Sequence, residues 1–177
     1  QYMVQEGMAF RLLPLENPDA SELLIDTEMM YDNMMNNFFW RELDNPEVYY
    51  SEDYRNFVLN HRAAFNTLAE ALVAEGKMDK AKEVVLRCLE TIPDEVIRLD
   101  HFSVQQIGLL LAFDEEEKAI EMADLMATRA DEMLTYLFEN NLADQYELQK
   151  NLIQLSEIAR AFKANNNNDL AAKYEQM

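Results

Sequence analysis

One cysteine, three glycines and four prolines in 177 residues leave little material for a cross-linked or turn-rich fold. Cys88 alone permits no internal disulfide, and at an apolar helical position it reads as a small buried thiol. Basic residues are also scarce: 15 Lys and Arg stand against 34 Asp and Glu, for a net charge of −19. Binding a phosphate backbone needs clustered cations, so nucleic acid is excluded as a partner, and anionic membrane surfaces are disfavoured by the same electrostatics. No apolar run reaches the roughly 18 residues that a membrane span requires, and the start of the chain does not read as a signal peptide. It opens on Gln1, which is not a translation start, and so reads as a piece of something longer.

The ingredients of familiar catalytic sites are missing too. The two histidines, His61 and His101, lie far apart in sequence, and there is no cysteine pair, so no transition-metal site is expected. Neither a glycine-rich phosphate loop nor a nucleophile elbow occurs. Carboxylate pairs (Asp44 with Glu47, Glu52 with Asp53, Asp114 with Glu117) fall at helix starts, where the helix dipole favours negative charge, and carry no glycosidase signal of their own. No catalytic residue, cofactor or metal ligand is therefore assigned.

What is present favours helices. Hydrophobic residues make up 49% of the chain, enough to build a core despite the charge. Residues 1–30 form an irregular lead-in, with a possible short strand around Met8–Leu13, a turn at ENPD, and a helix expected from Ser21 onward. Residues 31–50, YDNMMNNFFWRELDNPEVYY, read as an aromatic-rich capping helix and turn. From Ser51, a helix cap, apolar positions recur at three-and-four spacing: Phe57, Val58, His61, Phe65, Leu68, Leu72 and Val73. A second helix carries Ala81, Val84, Val85, Cys88, Leu89 and Ile92 and ends at Pro93. The theme returns in HFSVQQIGLLLAF, a capping-box-like Asp114–Glu117 pair, and a helix over Ala119–Phe138 with Met133 on its stripe. DQYELQKNLIQLSEIARAFK follows, with Leu148, Leu152, Leu155, Ile158, Ala159 and Phe162 facing inward, then the NNNND loop and a short last helix.

The window RAAFNTLAEALVAEGKMDKAKEVVLRCLETIPDE, residues 62–95, resembles a tetratricopeptide repeat. Phe65, Leu68, Ala69, Leu72, Gly76, Ala81 and Pro93 fall on that repeat's large, small, turn and terminating positions. Ala69 and Ala81 let two helices approach closely, and Gly76 tolerates a left-handed turn. Two later units, around Ala119 and Ala171, are degenerate. The expected fold is all-α: about three tetratricopeptide-like hairpins over residues 51–177, stacked in a right-handed α-α superhelix. Such a stack needs end caps, a role expected of Met34, Phe38, Phe39 and Trp40. The first helix of each unit would line a concave groove with Asn66 and Glu70, then Gln105 and Gly108, then Ser156, Arg160 and Lys163, where a protein partner could lie.

QEGMAFRLLP and YDNMMNNFFW, with the repeat that follows, also resemble the C-terminal region of a family of large bacterial multi-spanning membrane proteins. That family, a domain of unknown function, is related to transmembrane O-mannosyltransferases of animals, which carry a tetratricopeptide tail. The resemblance covers nearly the whole chain; Arg41 departs from it, standing where a Gly is expected after Trp. It implies an extracytoplasmic, soluble, non-catalytic tail of a membrane-bound lipid-linked sugar transferase. The tail would pack on its own membrane domain or recruit an acceptor protein, with no membrane insertion of this segment and with the catalytic acids elsewhere. Two alternatives remain open. One is a free-standing carbohydrate-active enzyme or sugar-binding module, with Trp40 or a Tyr beside two carboxylates; the other is a cytoplasmic repeat adaptor.

Overall fold

The protein is described from a computed structural model covering residues 2–14, 23–142 and 144–177. The turn expected at ENPD, residues 16–19, lies outside them. The fold is mostly helical, with seven α-helices and one small sheet among the described residues. It divides into two compact units, Gln1–Arg98 and Leu99–Met177.

The first unit opens on a three-stranded sheet, β1 (Met3–Gln5), β2 (Phe10–Leu12) and β3 (Leu24–Ile25), ordered β2-β1-β3. Strand β1 pairs antiparallel with β2, Val4 opposite Arg11, and parallel with β3, Gln5 opposite Ile25. The helix expected from Ser21 begins later, because Leu24 and Ile25 pair with β1 instead. Asp26 then caps α1 (Thr27–Asp32), its carboxylate accepting the Met29 N–H at 3.0 Å. A π-helical turn, Asn33–Asn37, follows and ends with the Phe38 N–H bonded to the Asn33 carbonyl at 2.8 Å. The Asp32 carboxylate accepts from both Asn36 and Asn37 side chains at 2.9 Å, holding the widened turn. Phe38 is extended, and Phe38 to Trp40 lie outside any helix, unlike the capping helix expected there.

Helix α2 (Glu52–Ala74) and α3 (Met78–Thr91) form the hairpin read from the repeat. Phe65, Leu68, Ala69, Leu72 and Ala81 are wholly buried. Ser51 occupies the cap position of α2, but its hydroxyl makes no capping bond. Phe57, placed by periodicity on the buried stripe, is exposed: α2 has 23 residues against 14 in α3, and its first turns run past its partner.

The second unit contains α4 (His101–Ala112), α5 (Glu116–Glu139), α6 (Gln145–Ala164) and α7 (Asn168–Glu175). The capping box lies at Asp100 and Ser103, which cap α4 reciprocally. Asp114 and Glu117 do not form one: Asp114 is the left-handed residue of the turn, with φ 60°, and Glu115 precedes α5 without a side-chain cap. On α6 the inward positions are Asn151, Leu155, Ile158, Ala159 and Phe162, which leaves Leu152 exposed about 100° round the helix from Asn151. Asn151 takes the inward slot by donating to the Glu147 carbonyl at 2.8 Å. Met133 likewise lies beside the α5 stripe of Ala130, Leu134 and Leu137 and remains exposed.

One turn recurs. Lys77 N–H bonds the Leu72 carbonyl at 2.8 Å, Glu115 bonds Leu110 at 2.9 Å, Leu142 bonds Leu137 at 2.9 Å, and Asn167 bonds Phe162 at 3.0 Å. Between each pair stands a left-handed residue: Gly76, Asp114, Asn141 and Asn166. This is the six-to-one hydrogen bond of a Schellman ending. In three of the four cases an alanine follows nine residues after the acceptor, and Ala81, Ala119 and Ala171 are all buried. The positions seven residues before the acceptor, Phe65, Ser103 and Leu155, are buried as well. The hairpins α2–α3, α4–α5 and α6–α7 thus share one internal register. Sequence reading found the register in full only in the first, because the later turns use Asp and Asn where the repeat favours Gly.

Candidate functional site

The aromatic-rich stretch is built around α2. Met30 and Met34 are fully buried. The Trp40 indole packs on Phe65 with centroids 5.0 Å apart and meets His61 edge-on at 5.8 Å. Its Nε1 donates to the Met34 carbonyl at 3.2 Å. Burial lowers the His61 pKa below the ordinary imidazole value, opposed by the backbone of Phe57 and Val58. Met34 is therefore buried and joined through its carbonyl to Trp40, which lies against α2 of the hairpin. Phe39 does not: it is 87% exposed, because the chain leaves the π-helical turn in extended form and alternate side chains point apart. Phe38 is partly exposed, with its ring against Gly7, where an added Cβ would meet it at 2.8 Å.

That contact joins the two most distinctive stretches. Gly7 belongs to QEGMAFRLLP and Phe38 to YDNMMNNFFW, and the Asn33 side chain donates to the Glu6 carbonyl at 2.7 Å. Arg41, standing where the resemblance leads one to expect glycine, has φ 34°, and Glu42 follows at φ 58°. Both lie in left-handed backbone that glycine adopts without strain.

Charged groups fix α1 to the α2–α3 turn. Glu28 bonds Lys77 at 2.5 Å and Lys80 at 2.9 Å, which hold its carboxyl down to about 2. Lys77 also pairs with Glu75, and Thr27 donates to that carboxylate at 3.0 Å; both lower the Glu75 pKa. Tyr31 donates to Glu83, which pushes the phenol up to about 12, and Lys80 sits 4.7 Å over the Tyr31 ring. Opposite charges keep each other ionised at these exposed positions.

The expected groove residues fall into different settings. On α2, Asn66 is only 2% exposed, so it belongs to the interior, while Glu70 one turn on is exposed. Asn66 faces the buried side of α2 with Phe65 and Ala69. In the second unit Gln105 is half-buried on α4, and Ser156, Arg160 and Lys163 are exposed along α6. Arg160 pairs with Glu157 on its own helix, and Lys163 reaches Glu175 of α7 at 3.9 Å. Gly108 is a packing residue rather than a groove residue: a Cβ there would touch the Ala161 methyl at 4.0 Å, so α4 and α6 meet closely at this point. Pro93 follows the end of α3.

Sequence reading overlooked Arg62, which it used only to mark the start of the repeat. The side chain is 1% exposed, and its guanidinium donates to the carbonyls of Ile92 at 3.1 Å, Ile97 at 2.5 Å and Arg98 at 2.7 Å. It lies three residues before Phe65, on the buried face of a helix, and a cation in that register was the available signal. Among the described residues no three His, Cys, Asp or Glu side chains are grouped to hold a metal ion. Nor is any helix long and apolar enough to cross a membrane. Compared with family models, curated proteins and solved structures, the chain finds no match.

Proposed function

We propose that this chain is a non-catalytic interaction domain of tetratricopeptide-like hairpins in a right-handed superhelix. In this reading it forms the extracytoplasmic tail of a membrane-bound, glycosyltransferase-like protein, where it packs on the enzyme or recruits its acceptor protein. The observation that carries the reading is the register shared by α2–α3, α4–α5 and α6–α7, down to the left-handed turn residue and the buried alanine nine residues beyond the acceptor. Repeats of this kind bind by surface and shape rather than by a reactive centre. The family-like flanks add support, since the stretches that carry that resemblance meet at Gly7 and Phe38. A sugar-binding platform at Trp40 is less well supported, because the indole is stacked on Phe65 and its N–H is taken by the Met34 carbonyl.

Two measurements test this. Incubated with lipid-linked sugar donors and acceptor peptides, the chain alone should transfer nothing; turnover would end the non-catalytic reading. In the cells that make it, the protein should fractionate with membranes and be cut by protease added outside intact spheroplasts. Recovery from the soluble cytoplasmic fraction would favour a cytoplasmic adaptor instead.

A further inference from the structure

We draw no further inference here: the strongest candidate, the exposed apolar face of Met133, Tyr136, Leu142 and Tyr146 at the α5–α6 turn, carries nothing, because its neighbour Glu147 is already paired with Lys150 at 3.0 Å and nothing in the structure shows what covers it.

Discussion

Replacing Arg62 should damage the first unit more than replacing any other charged residue in it. The guanidinium is almost completely buried and donates to three carbonyls that follow or end α3, those of Ile92, Ile97 and Arg98. These bonds tie the segment after Pro93 back onto α2. Arg62→Met keeps most of the aliphatic stem and removes the fork, so the change isolates the hydrogen bonds from the packing. A buried carbonyl left without a donor costs about 1–3 kcal/mol. The Arg98 carbonyl belongs to an exposed residue and can recruit water, so its loss counts at the low end. The expected loss is about 3–5 kcal/mol, comparable to other cases in which one partner of a buried charged contact is removed. Arg62→Lys should fall between, since an ammonium is a point donor that cannot match a planar fork.

The assay is urea unfolding followed by fluorescence of Trp40, which packs on Phe65 one turn from Arg62 in the same unit. At a slope of about 1–3 kcal/mol per molar urea, the midpoint should drop by roughly 1–5 M. A midpoint shift equivalent to less than about 1 kcal/mol for Arg62→Met, with unchanged slope, would refute the claim that the fork holds this segment.

The left-handed turns allow a reciprocal check. Gly76→Ala should destabilise by about 1 kcal/mol from backbone strain alone, because nothing lies within 4 Å of the added Cβ. Arg41→Gly, at φ 34°, should be neutral or stabilising by up to about 1 kcal/mol in the same urea titration. Attachment of α1 should weaken in acid. Glu28 has a folded-state pKa near 2, below its ordinary 4.5, so its pairing with Lys77 and Lys80 is complete above about 4.5 and is lost as the pH falls towards 2. Trp40 fluorescence should report loosening in that window, and a Glu28→Gln variant should flatten the change. Ala81→Leu should cost about 1–3 kcal/mol by overpacking a fully buried contact between α2 and α3. If Ala81→Leu unfolds at the wild-type midpoint, the close approach of these helices is not what the structure describes.

Local patterning was enough for most of the helical fold. Few glycines and prolines, together with three-and-four apolar spacing, marked α2 through α7 with small errors at their ends, because each helix hides one stripe and breaks at a residue that ends the ladder. The repeat at 62–95 was legible because Ala69, Gly76, Ala81 and Pro93 each answer a local steric demand. Several features depended on neighbours distant in the chain. Leu24 and Ile25 became a strand because β1 was there to pair with them, against their own helical surroundings. Phe39 and Phe57 looked like core residues and proved exposed, since hydrophobicity states what could be buried and only the lengths and crossings of helices decide what is. Arg62 reversed the error: a cation that composition assigns to the surface is buried because the folded chain brings it three carbonyls. The sequence alone thus determined helix, stripe and turn, which are properties of a few consecutive residues. Tertiary structure alone decided which apolar faces were covered and which, as at Phe39 and Phe57, stayed exposed.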